Sequence, residues 1–311
     1  MESGVIQSSK ESIIEVRDLT RLFKDIRAVD GLSFSVPSGD VYGFLGQNGA
    51  GKSTTIRMLL TLVRPTSGEI RIFGMDLQKH RKEILRQTGA IIERPDLYKY
   101  LTAKENLRIF SRISGVKLSR QQIMEHLDRV GLAERADSKV RTYSQGMKQR
   151  LGIAVALVHD PQLVILDEPT NGLDPQGIAD VRKLIGHLSK DLRKTVLVSS
   201  HLLNEIELVA DSLVIIDKGR KIVEGGKEEL LQPKQMQVEL ITDDNERSTV
   251  LIKESRWASN YLQNENGSIL LQLERALIPE LNRTLVEKGI NVVSLRPKHS
   301  LEDFFLSLTR H

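Results

Sequence analysis

Residues 40–63 read DVYGFLGQNGAGKSTTIRMLLTLV. The apolar run ending at Leu45 has the composition of a buried strand, and the run from Lys52 onward reads as a helix that starts inside a glycine loop. Between them Gly46, Gln47, Asn48, Gly49, Ala50, Gly51, Lys52 and Ser53, followed by Thr54, fit G-x-x-x-x-G-K-[ST]. Glycines let the backbone wrap β- and γ-phosphates, Lys52 can reach their oxygens, and the Ser53 hydroxyl can ligate Mg²⁺. A strand, a phosphate loop and a helix in that order predict an α/β core with a parallel sheet.

The rest of the chain fits that expectation. IIEVRDLT and AVDGLSFSV precede the loop as strands, and GEIRIFG, a charged helix near 78–86 and the short strand TGAIIE follow it. Residues 103–160 read as a mostly helical insert, with amphipathic spacing in ENLRIFSRI and QQIMEHLDRVGL. LVILDE, TVLVSS and SLVIID return to buried strands, with a helix from Gln176 between the first two. The pattern breaks at LLQPKQMQ. Beyond it VELIT, ILLQL and VVSL alternate with the helical runs ALIPELNRTLVEK and LEDFFLSLT. The expected organisation is a flexible tail over 1–12, a nucleotide-binding domain over 13–231 with an antiparallel β part, and a small α+β domain over 237–311.

Composition narrows the chemistry. The 311 residues carry 45 Lys and Arg against 41 Asp and Glu, a net charge of +4. That mild basic excess suits an anionic ligand without choosing one. With 0 Cys, disulfides, thiol nucleophiles and thiolate-bound metals are excluded. The N-terminus lacks the pattern of a secretory signal, and the best apolar run, LGIAVALV, falls far below the ~20 residues needed to span a bilayer. The chain is therefore expected not to cross a membrane by itself.

Two more segments bear on phosphate chemistry. In LVILDEP (163–169) an apolar strand ends in carboxylates, which places Asp167 at the C-terminal edge of the sheet beside the phosphate loop, where it can hold Mg²⁺. Glu168 follows as the candidate general base for an attacking water. In YSQGMKQR (143–150) a serine, a glycine and basic residues open an apolar helix, whose first N–H groups also suit a phosphate. A single site needs only one phosphate loop, so this second one requires a reason.

In family order, GQNGAGKST, YSQGMKQR, LVILDEP, NGLD (171–174) and His201 in VSSHLLNEIE make residues 13–230 resemble the nucleotide-binding subunit of an ATP-binding cassette transporter. The resemblance implies a phosphate-loop ATPase using ATP and Mg²⁺. It places YSQGM where the LSGGQ signature stands; Ser144 and Gly146 keep that pattern, whereas Gln145 and Met147 depart from it. It implies that two such subunits, two copies of this chain, pack head to tail, so that Ser144 and Gly146 complete the partner's site. It implies an adenine-stacking role for Phe23, a γ-phosphate-sensing role for His201, a link across the dimer for Asp174, and for Glu93 a place near Mg²⁺ at the start of the segment facing the permease. Most transporters of the family have glutamine there.

IIERPDLYKYLTAKENL and SLEDFFLSLT further resemble bacitracin, lantibiotic-immunity and drug exporters. Such a subunit works with a separate transmembrane permease at the cytoplasmic face of the cell membrane, and no nucleic-acid partner is expected. A soluble ATPase of the same family acting on nucleic acid or ribosomes would use the same chemistry. One cassette and no sustained heptad pattern argue against it.

Overall fold

The computed structural model describes residues 11–231, 236–265 and 267–298. Residues 1–10 of the tail expected over 1–12, and the helical run at 301–309, lie outside the described residues. Ser12 already pairs with Pro37, so the first strand begins one residue inside the segment expected as tail. The chain divides between Gly225 and Gly226 into two compact units.

The first unit is built on two sheets. One has the order β2-β1-β4-β5, formed by β1 (Ser12–Phe23), β2 (Ile26–Pro37), β4 (Ser67–Ile72) and β5 (Met75–Asp76), paired antiparallel. The other has the order β10-β9-β3-β8-β7-β6, from β3 (Val41–Leu45), β6 (Thr88–Ile91), β7 (Leu163–Asp167), β8 (Thr195–Ser200), β9 (Ser212–Asp217) and β10 (Arg220–Gly226). Its pairs from β9 through β6 are parallel. β3, β7 and β8 are buried at every residue, which is why VYGFL, LVIL and VLV run apolar without alternation. Helix α1 (Lys52–Leu59) contacts both β2 and β7, and its Ile56, Met58 and Leu59 share one core with Ile14, Leu32, Ile72, Ile165 and Leu197 from the two sheets. Each such side chain contributes ~1.5–3 kcal/mol on burial.

Register positions the chemistry. Leu45 lies opposite Ser200, Ser199 opposite Asp167, and Ile91 near Leu166. The phosphate loop, Asp167–Glu168, His201 and Glu93 therefore all leave the sheet at one edge, the carboxyl ends of parallel strands.

After α2 (Arg81–Arg86), the helical insert comprises α3 (Ala103–Ile113), α4 (Arg120–Arg129) and α5 (Gln145–Ala156). The starts of α3 and α4 are written in the sequence as capping boxes, Thr102 with Glu105 and Ser119 with Gln122, each side chain bonding the other residue's backbone N–H. α6 (Pro175–Lys190) and the short α7 (Leu203–Glu207) complete the unit, and α8 (Lys227–Leu231) follows β10. Among the described residues no helix is long and apolar enough to cross a membrane.

The second unit runs β11 (Met236–Thr242), α9 (Asn245–Lys253), β12 (Tyr261–Glu265), β13 (Ser268–Leu273), α10 (Ile278–Glu287), β14 (Val292–Lys298), in the sheet order β12-β13-β11-β14 with every pair antiparallel. This β-α-β-β-α-β succession is the split-βαβ, ferredoxin-like arrangement. Val238, Leu240, Ile269, Leu271 and Leu273, alternate residues of the central strands, share a core with Ile252 of α9 and with Leu281 and Leu285 of α10. Both helices thus cover the same sheet face. α9 escapes a sequence reading because two of its three buried positions are Ser248 and Thr249 rather than apolar residues. Its start is set by Asp244, whose side chain accepts from Arg247 N.

Candidate active site

The phosphate loop is shaped by close approach of other backbone. A Cβ on Gly51 would lie 2.5 Å from Ala28 O, and Gly51 has φ 104°, a left-handed value that side chains resist. At Gly46 a Cβ would meet Ile216 O at 2.5 Å. Gly51 is the N-cap of α1 and offers no side chain, and the first turn of α1 holds no acidic residue, so its N–H groups remain available to an anion. Gly51→Ala combines strain of ~1–2 kcal/mol with a clash on Ala28. It is expected to weaken nucleotide binding by about tenfold or more in calorimetry; unchanged affinity would show that the loop tolerates the added methyl.

Lys52 is 5% exposed and folds back into the loop, donating to Gly46 O (2.7 Å) and Gln47 O (3.2 Å). Its Nζ also lies 3.2 Å from Glu168 Oε1. The second oxygen of Glu168 accepts from His201 Nδ1 at 2.7 Å. An ionised carboxylate only accepts, so the imidazole proton sits on Nδ1. Glu168 is thereby fixed from both sides, with its backbone at φ 49°.

Asp167 is fully buried. Its Oδ1 accepts from Ser199 Oγ at 2.5 Å, while Oδ2 is buried without a hydrogen-bond partner. Burial pushes its carboxyl above the ordinary Asp value; the Ser199 hydrogen bond and the nearby Ser53 hydroxyl oppose this, and the charges of Glu168 and Glu93 add to it. A buried carboxylate oxygen left over beside a hydroxyl is a hard oxygen site that fits Mg²⁺. Among the described residues no group of three or more His, Cys, Asp or Glu is placed to hold a metal.

The remaining expected residues lie elsewhere. Phe23, at the end of β1, is 40% exposed, with the Arg21 guanidinium 4.3 Å from its ring centroid on one face. Glu93, at φ 58° and exposed, gives its carboxylate to Arg57 of α1 at 2.7 Å. Ser144 caps α5, accepting from Met147 N at 3.2 Å. Asp174 caps α6, its Oδ1 accepting from Gly177 N at 3.0 Å, and a Cβ on Gly146 would lie 3.5 Å from Gly177 Cα. The signature end of α5 thus abuts the start of α6. The structure brings Lys52, Ser53, Asp167, Glu168 and His201 together; Ser144, Gly146 and Asp174 form a separate group.

Sequence reasoning missed Arg21, Arg57 and Ser199. The first two are surface cations whose partners are 2 and 36 positions away. Ser199 carried a faint signal, one of three buried hydroxyls in the strand TVLVSS, but only the register sets it opposite Asp167.

The family model described as ABC transporter matches residues 29–171. The bacitracin transport ATP-binding protein BcrA of Bacillus licheniformis is 44% identical over 298 residues, 96% of this chain and 97% of that protein. This chain belongs to the ABC transporter ATP-binding proteins. It is an ATPase of that family. The lantibiotic transport ATP-binding protein SrtF of Streptococcus pyogenes is 40% identical over 68% of this chain and 90% of its own length. Among solved structures, CbiO1 of Clostridium perfringens, part of the ABC transporter complex CbiONQ, superposes with a TM-score of 0.64 at 28% identity, covering 71% of this chain and 91% of that one. The likeness to BcrA spans too much of the chain to stop at the first unit. It runs through the ferredoxin-like unit as well.

Proposed function

We propose that this ABC ATPase powers export of an amphipathic peptide antibiotic or drug through a separate transmembrane permease, at the cytoplasmic face of the membrane. Two copies pack head to tail, and each active site is completed by the partner's Ser144 and Gly146. What carries this reading is the separation within one chain: Lys52, Glu168 and His201 form one group, whereas the signature serine is, among the described residues, hydrogen-bonded inside its own helix. A helix start suited to a phosphate but set apart from the phosphate loop of its own chain suits an interface. Whole-length likeness to a bacitracin transport protein supports the cargo class.

In this reading the first-turn N–H groups of α1 and Lys52 hold the β- and γ-phosphates, and Phe23 stacks on adenine. Glu168 orients and deprotonates the attacking water, with His201 fixing its carboxylate and contacting the γ-phosphate. Ser53 and Asp167 would hold Mg²⁺, with Glu93 nearby; the ion would neutralise charge developing on the phosphates. Asp174 links the two sites through the α6 terminus it caps.

Glu93 tests the coupling. Its bond to Arg57 ties the loop after β6 to the phosphate-loop helix, so Glu93→Ala is expected to cut cargo transport by the assembled transporter more than it cuts ATPase activity of the isolated chain. Both are measured in parallel, with membrane vesicles for transport. Equal losses would assign Glu93 to nucleotide chemistry, and no loss would leave it a surface residue. Co-purification with RNA in place of a membrane-spanning protein would favour the soluble alternative over transport.

A further inference from the structure

We propose that Ser199 is a positioning residue that sets both catalytic carboxylates at once. The inference rests on the reading of Asp167 as Mg²⁺ ligand and Glu168 as base. Ser199 lies on β8 opposite Asp167 and is fully buried. Its hydroxyl donates to Asp167 Oδ1 at 2.5 Å and accepts from Glu168 N at 2.9 Å. One oxygen therefore spends its proton on the metal-associated acid and a lone pair on the backbone of the base.

Each bond has a consequence. Holding Oδ1 fixes the rotation of the Asp167 carboxyl group and thereby the direction of Oδ2, the buried oxygen without a partner. Holding the Glu168 N–H steadies a non-glycine residue at φ 49°, a conformation that persists only where surroundings over-determine it. That backbone turn delivers the Glu168 side chain to Lys52 and His201, 3.2 Å and 2.7 Å away. A hydrophobic residue at 199 would suit the buried strand equally well by its neighbours Val198 and Leu197, both essentially unexposed. The hydroxyl is thus not demanded by packing, and its two partners explain it.

The experiment compares two isosteric variants of the full chain, Ser199→Thr and Ser199→Val, which add the same bulk and differ only in the hydroxyl. Outer-shell partners of metal ligands are worth about 10–100-fold in metal affinity or activity. The threonine variant is expected to keep turnover within about threefold of the parent, and the valine variant to lose about tenfold or more. Affinity for a non-hydrolysable ATP analogue in EDTA should match between the two, while the gain on adding Mg²⁺ should shrink about tenfold in the valine variant. Ser199→Ala, which adds no atom, should behave as valine does, and thermal melts check that each variant folds. Equal turnover and equal Mg²⁺ dependence in threonine and valine, or an alanine variant with both properties of the parent, would overturn the proposal. Glu168→Gln, assayed beside them, separates the levels: if it is inactive while valine matches threonine, only the Ser199 assignment falls. If Glu168→Gln itself turns over normally, the underlying assignment of the base is wrong.

Discussion

Replacing Glu168 by glutamine is expected to lower ATP turnover by roughly 10²–10⁴-fold, the range for loss of a positioned general base, while ATP binding is retained. The geometry explains both halves. Glu168 now forms an ion pair with Lys52 through one oxygen, 3.2 Å away, and accepts from His201 on the other. Glutamine has the same shape but only one acceptor, so its oxygen can serve Lys52 while its NH₂ faces Nδ1. His201 can meet that NH₂ by moving its proton to the other ring nitrogen. Lys52 keeps Gly46 O and Gln47 O in either case, so the phosphate loop should hold its form. What the amide cannot do is take a proton from water. With hydrolysis blocked and binding intact, ATP should hold two subunits together, and sizing with ATP should show the dimer persisting. Near wild-type hydrolysis in this variant would sink the assignment.

Legibility in the sequence followed the range of the interactions. The phosphate loop and Asp167–Glu168 were readable because their residue types sit at fixed offsets along the chain. The convergence at one sheet edge was readable in outline, since apolar runs followed by polar residues mark buried strands and their ends. Ser199 was not, because its meaning lies in a register across two strands 32 positions apart in sequence. Glu93 shows the same gap: its place at the end of TGAIIE was visible, but its Arg57 partner was not. In the second unit, α9 buries Ser248 and Thr249, and β12 (YLQNE) lacks an apolar face, so hydrophobic periodicity passed over both. The split-βαβ order emerged only from the strand pairing.

The serine that opens α5 leads to the other large effect. Ser144 and Gly146 have their partners in α5 and α6, while the phosphate loop is built from β3, α1 and the strands beside them. A signature that acts on the partner's nucleotide can be separated genetically from the loop of its own chain. Lys52→Ala removes the buried cation from the loop, and Ser144→Arg removes a helix cap worth ~1 kcal/mol and sets a bulky charge where a phosphate must dock. Each homodimer should be nearly inactive, since both of its composite sites contain one damaged half. In a mixed dimer the intact loop of the Ser144→Arg chain faces the intact signature of the Lys52→Ala chain. An equal mixture is then expected to recover about a quarter of the wild-type rate, because random pairing makes half the dimers mixed and each holds one sound site of two. Differently tagged chains, co-purified with ATP, establish that mixed dimers form before rates are compared. Recovery requires that one sound site can turn over beside a damaged one. Mixed dimers no faster than either parent would mean that the two sites fire only together or that Ser144 serves its own chain, and the model of two independent half-sites fails either way.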